Sequence, residues 1–280
     1  MKTAIATVVI FLICTYLFFS FKSKEPNLGI IQQQGNTIQT RFSVPLGYIR
    51  TNETEDSFGN FLRNLPLKPS GSLVKYYNGT SKANNNVYDA VVDLPIGNKD
   101  LHQCADAVMR LRADYLFKQK QYDLIHFNFT NGFRVDYSKW RDGYRIVVKG
   151  NKTSWVKSAK PSDSYETYWS YMEMIFNYAG TASLSKEMKS IPVSDLQIGD
   201  VFIKGGFPGH AVIVVDVAVN PKNNLKIFMI AQSYMPAQEL QILLNPSISS
   251  NNKVCWYSAQ IPSTLQTPEW TFDANQLKRF

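Results

Sequence analysis

The sequence predicts an α+β domain in which an antiparallel sheet carries a helix packed against it. One observation is the run from Gly199 to Asp216, where apolar segments around Val201-Phe202-Ile203 and His210 to Val219 flank the loop Gly205-Gly206-Phe207-Pro208-Gly209. A third apolar segment, Leu225 to Gln232, follows the polar turn Asn220 to Asn224. A second observation is the spacing of Leu101, Cys104, Ala105, Val108, Leu111 and Tyr115, which recurs with the helical period, while Asp106, Arg110 and Asp114 lie on another face. The third is a series of short apolar runs between turn residues at Tyr48 to Arg50, Leu73 to Tyr76 and Val87 to Leu94. This region reads as strands and loops.

Composition narrows the function classes. The chain has 280 residues, 44% of them hydrophobic and 13% aromatic, enough for a substantial core. The formal charge of +8 is spread over single Lys and Arg residues, so no basic stripe suggests nucleic-acid binding. An anionic envelope polymer or membrane surface suits such a diffuse field. Ala4 to Phe21 is an unbroken apolar run with Lys2 before it and Lys22 and Lys24 after it. No small-residue cleavage pattern follows, so residues 1–24 read as a membrane anchor or signal segment, with retention favoured. Cys14 as a lipidation site is the minor alternative, since Ile13 is bulky and the apolar run continues past it. Lysines on both flanks leave orientation open, and export of the remainder, to the periplasmic or other extracytoplasmic side, is the default expectation. Residues 25–40 turn to Asn, Gln, Gly and Pro and read as a linker, and residues 41–280 as one domain. Cys104 and Cys255 stand outside any CxxC or Cys/His metal spacing, so neither a metal nor a cofactor is expected, and a disulfide between them stays open.

The elements follow in order. Asp100 is placed to cap a helix running to about Gln119, which puts Cys104 in its first turn. There a thiol feels the helix N-terminus, which favours thiolate, and the alternative reading is a small core residue. Ile125 to Thr130 alternates as a half-buried strand with His126 on its polar side, and Arg145 to Lys149 is a further strand. Asp163 with Glu166 resembles a capping pair opening a helix whose aromatic face runs to Gly180. His210 to Val219 and Leu225 to Gln232 are apolar on both faces, as covered central strands are. A symmetric turn pairs Val212 with Gln232 and sets His210 diagonal to Gln232 at roughly 7–8 Å. Asp216 shares that face but lies some 20 Å along the strand from His210. In the loop-rich tail, Trp256, Tyr257 and Trp270 are packing anchors.

A cysteine at a helix start, a histidine opening a strand and a polar group ending the next strand make a thiol-nucleophile site. The histidine takes the thiol proton, and the third residue holds the ring. His102, two residues from Cys104, faces elsewhere. The segments Leu196-Gln197-Ile198-Gly199-Asp200-Val201-Phe202-Ile203 and Gly209-His210-Ala211-Val212-Ile213-Val214-Val215-Asp216 resemble the signature of NlpC/P60-type papain-like cysteine peptidases. That resemblance implies a papain-like fold with Cys104 as nucleophile, His210 as base and Gln232 as orienting group. Gln103 and Ala105 depart from it, standing where that family usually carries Asp and Ser or Gly. Over about residues 41–280, the strings from Asp100 to Arg112 and from Ala231 to Gln238 are similar to a bacterial family, domain of unknown function 4846, which supplies no activity. The expectation is a membrane-anchored cell-envelope thiol hydrolase cleaving amide bonds in cell-wall peptides. The alternatives are a non-catalytic envelope-binding module, or an acyl transferase or esterase using the same Cys-His site.

Overall fold

The computed structural model describes residues 29–248 and 253–280. The expected anchor over residues 1–24, including Cys14, lies outside the described residues, as does the first part of the expected linker. Among the described residues no helix is long and apolar enough to cross a membrane.

The predicted class, α+β with antiparallel pairing, is what the fold shows. Nine strands among the described residues form one sheet. Its path runs Tyr88–Val91, Gln241–Leu243, Lys226–Gln232, His210–Val219, Val201–Lys204, Leu277–Arg279 and Lys189–Ser190. Ile49–Arg50 pairs with the far end of the His210 strand, and the short strand Tyr257–Ser258 lies beside Lys226–Gln232. The two central strands are buried nearly throughout, as their apolar composition on both faces requires. The helix Cys104–Lys118 packs on the His210 strand. It is covered on its other sides as well, so the polar Asp106 and Arg110 are buried with the apolar stripe. The guanidinium of Arg110 stacks over Trp169 of the aromatic helix Tyr165–Tyr178 at 4.7 Å and bonds Asp114 at 3.2 Å. Burial of that charge is thereby compensated.

Several boundaries differ from expectation for identifiable reasons. The long helix begins at Cys104 and not after Asp100, because Asp100 Oδ1 is taken by the distant Ala237 N–H at 2.6 Å and by Gln103 Nε2 at 3.2 Å. Ser164, between the expected capping residues, is the N-cap of the aromatic helix and accepts from the Thr167 N–H. Leu73 to Tyr76 forms only isolated bridges, from Lys75 to Ser81 and Tyr76 to Gln238. Elements outside the predicted set include the helices Phe58–Arg63, Tyr137–Arg141 and Thr181–Glu187, the strand Lys152–Lys157 that partners Tyr144–Lys149, and the sheet strands Gln241–Leu243 and Leu277–Arg279. The fold also reaches back before Arg41: Ile31 bridges Phe42, Thr37 caps the short helix Ile38–Arg41, and Ile38 is fully buried.

The register that aligns the site is reached indirectly. At the turn Val219 faces Lys226, one residue away from the symmetric pairing. A bulge then sets Met229 opposite Asp216 but Ile230 opposite Val214, making Val215 the extra residue. Ala231 consequently faces Ile213, the offset that a symmetric turn predicts, and the His210 and Gln232 side chains meet at 2.8 Å. Alternation reverses across the bulge, so Asp216 does not share the face of His210. Its carboxylate instead meets Arg50 and Arg63, each at 2.7 Å.

Candidate active site

Cys104 is the first residue of its helix, with Gln103 as the extended N-cap residue. The Gln103 N–H donates to Asp106 Oδ2 at 3.0 Å, which secures the helix start from within. His210 opens its strand directly after the glycine loop. At Gly209 a side chain would collide with Thr181 and the Gly206 carbonyl, and Gly206 itself has φ +113°, a conformation side chains resist. Thr181 Oγ1 donates to the Gly206 carbonyl at 3.1 Å, so the helix Thr181–Glu187 fastens this loop.

The imidazole of His210 is almost fully buried among aromatic rings, with centroids of Tyr234 at 4.7 Å, Trp270 at 5.3 Å and Phe272 at 5.8 Å. Its Nε2 lies 2.8 Å from Gln232 Oε1. Gln232 Nε2 donates to Glu269 Oε2 at 2.7 Å, and the Lys82 ammonium donates to the same oxygen at 2.7 Å. An ionised carboxylate only accepts, so Glu269 draws the NH₂ end of the Gln232 amide and turns its carbonyl toward the ring. The ring must then carry its proton on Nε2 and a lone pair on Nδ1. Nδ1 makes no hydrogen bond among the described residues.

Cys104 and His210 line one cavity of about 390 Å³, together with Gln103, Asp106, Tyr234 and Trp270. The sulfur and the imidazole share this space without a hydrogen bond between them. The Ala211 backbone, next to His210, does favour the thiolate, as do the N–H groups of the helix start at Ala105 and Cys104. These are outweighed: burial first and the Asp106 carboxyl second push the thiol up to about 11. Burial likewise lowers the imidazole to about 4, with the Gln232 bond opposing and the Lys82 charge adding to the shift. The expected partly ionised thiol is therefore corrected, because desolvation at this helix start exceeds the dipole effect. A neutral thiol beside a neutral imidazole is still a competent pair, provided the proton moves as the sulfur attacks.

The three expected site residues thus come together, with Gln232 bonded to His210 and Cys104 opening onto the same cavity. Glu269 and Lys82 were missed. Glu269 sits in a turn of the motif-poor tail, beside the packing anchor Trp270. His102 is buried with neither ring nitrogen hydrogen-bonded, packed edge-on against Phe176 at 5.9 Å. His126 is half-buried and its Nδ1 lies 3.2 Å from the Leu124 carbonyl. Cys104 and Cys255 are both free thiols. Among the described residues no cluster of His, Cys, Asp and Glu suits a metal ion.

No curated protein and no solved structure matches the chain. A family model described as a domain of unknown function (4846) matches residues 38–279, and the chain belongs to that family.

Proposed function

We propose that this member of the domain of unknown function 4846 family is a thiol hydrolase with a papain-like arrangement, cleaving amide bonds in cell-envelope peptides. The observation that carries the reading is the 2.8 Å bond that Gln232 makes to His210, the histidine lining the cavity that Cys104 opens onto. In this mechanism the Cys104 sulfur attacks the scissile carbonyl carbon while Nδ1 of His210 takes the thiol proton. The imidazolium then protonates the leaving amine as the C–N bond breaks, and water hydrolyses the thioester, restoring the thiol. Gln232 keeps the ring in the tautomer that can accept. The N–H groups at the start of the Cys104 helix are available to the carbonyl oxygen as it becomes negative. The resemblance to NlpC/P60-type peptidases and the diffuse positive charge support an envelope substrate. The apolar run Ala4 to Phe21 supports membrane attachment with the domain exported.

A second reading, a non-catalytic envelope-binding module, is favoured by one observation: the buried Cys104 thiol has a raised pKa of about 11. Variants separate the two. Assayed on peptidoglycan fragments and on a simple ester, Cys104→Ala abolishes hydrolysis and His210→Ala lowers it by about 10² to 10⁴, the worth of assisted proton transfer. Gln232→Ala costs less, since a neutral amide only orients the ring. Each variant must unfold near the wild-type temperature, because Cys104 also packs in the core. A well-folded Cys104→Ala protein with full activity overturns the hydrolase.

A further inference from the structure

Resting on the hydrolase reading above, we infer the substrate class of this site: an amide or ester whose acyl portion is apolar and uncharged, seated between Phe207 and Met235, with carboxylates rejected. The cavity wall carries the argument. Its acidic lining residues are Asp100 and Asp106, and among the described residues neither Lys nor Arg contributes to it. That is the reverse of the molecule's overall charge of +8. The cation whose field reaches His210 is Lys82, and its ammonium is already committed to Glu269. An anionic acyl group entering here finds no counter-ion, because the acidic residues of this wall, Asp100 and Asp106, are gathered around Gln103, whose Nε2 holds Asp100 and whose N–H holds Asp106. The Oδ1 atom of Asp106 is buried without a hydrogen-bond partner among the described residues, so no protein cation compensates that carboxyl.

The rim is the second observation. Phe207 is 95% exposed and Met235 55% exposed, and both line this cavity. Phe207 belongs to the loop that delivers His210, and Met235 follows Gln232 by three residues, so the two apolar side chains come from the segments that flank the histidine–glutamine pair in sequence. Leu101, Phe176 and Ala179 add to the apolar lining of the same cavity. Apolar side chains left open to water beside a reactive pair are explained by an apolar group that covers them when substrate binds.

The test uses p-nitrophenyl butyrate and the hemisuccinate, nearly equal in size but differing by a carboxylate, with the octanoate added for chain length. The structure leads to octanoate exceeding butyrate in kcat/KM, with butyrate at least about tenfold above the hemisuccinate. Phe207→Ala should lower kcat/KM for octanoate about tenfold, the order expected for a lost aromatic contact, and lower it for butyrate severalfold less, so the chain-length preference shrinks. Asp100→Asn together with Asp106→Asn keeps the oxygen acceptors that the fold uses and should narrow the butyrate-to-hemisuccinate gap severalfold. Equal turnover of hemisuccinate and butyrate, or no chain-length preference, overturns the inference. A parallel measurement separates it from the hydrolase reading. In the Cys104→Ala protein, quenching of tryptophan fluorescence reports binding of octanamide against octanoate ion. Preference for the amide that Phe207→Ala weakens supports the inference even if no ester is cleaved, and equal binding of both ligands sinks it.

Discussion

At the residue scale, the site turns on how one neutral amide is oriented. Gln232 can present either its carbonyl or its NH₂ to His210, and a shared oxygen of Glu269 decides between them by accepting from Gln232 Nε2 and Lys82 Nζ. Only the carbonyl-inward form fixes the proton on Nε2 and frees Nδ1 to act as base. Replacing Glu269 by glutamine removes that bias, since a second amide can also donate. Glu269→Gln should give a mixture of His210 tautomers by ¹⁵N NMR, where the wild type shows one. It should also lower kcat about ten- to hundredfold, the range for outer partners that orient a histidine. A single unchanged tautomer in the variant counts against this role, whatever the activity does.

At the element scale, the bulge at Val215 has two effects on one strand. It restores the register that sets Gln232 beside His210, and it turns Asp216 to the opposite face, where Arg50 and Arg63 receive it. Asp216 and Arg63 are both buried, so removing the carboxylate leaves a buried guanidinium without its counter-charge. Asp216→Ala should therefore cost about 3–5 kcal/mol of unfolding free energy, the usual penalty for breaking a buried pair from one side. Denaturant unfolding measures it, and a loss below about 1 kcal/mol would show that the pair contributes little. The site is spared if the strand keeps its pairing, so activity per folded molecule should change far less than stability.

At the scale of the whole molecule, buried titratable groups set how stability responds to acid. Burial, reinforced by the Arg110 charge, lowers His102 from 6.5 to about 3, although the nearby Gln238 backbone slightly favours its charged form. The unfolded chain therefore takes up this proton first as pH falls. The stability His102 provides is whole above about pH 6.5 and is lost progressively as pH falls toward 3. His210 acts with the same sign down to about 4. Asp106 and Asp114 act oppositely: burial raises both carboxyls, so their contribution is present in acid and fades as pH rises. The His102 share can be isolated by difference. His102→Leu, close in volume and without the two unpartnered nitrogens, should have a stability curve flatter than wild type by about 1.4 kcal/mol per pH unit between about pH 4 and 6. Parallel curves would mean that His102 takes up its proton equally well in the folded state.

What the sequence determined by itself is the local framework. Helical spacing from Leu101 to Tyr115 was enough to put Cys104 at a helix start, and two apolar runs around the glycine loop were enough to put His210 at a strand mouth. Turn length even pointed to the meeting of Gln232 with His210, although the actual path contains an offset and a compensating bulge that no pattern in the strand reveals. These features are legible because periodicity and turn chemistry act within a few residues. The tertiary structure alone decided what surrounds them. Glu269 meets Gln232 across 37 residues and Lys82 across 187, so nothing local marks either as part of the site. Asp100, a helix cap by local rules, is drawn off by Ala237, which lies 137 residues away. The ionisation of Cys104 belongs to the same class: its helix position favours the thiolate, but how much water is excluded depends on packing of distant segments, and that desolvation wins.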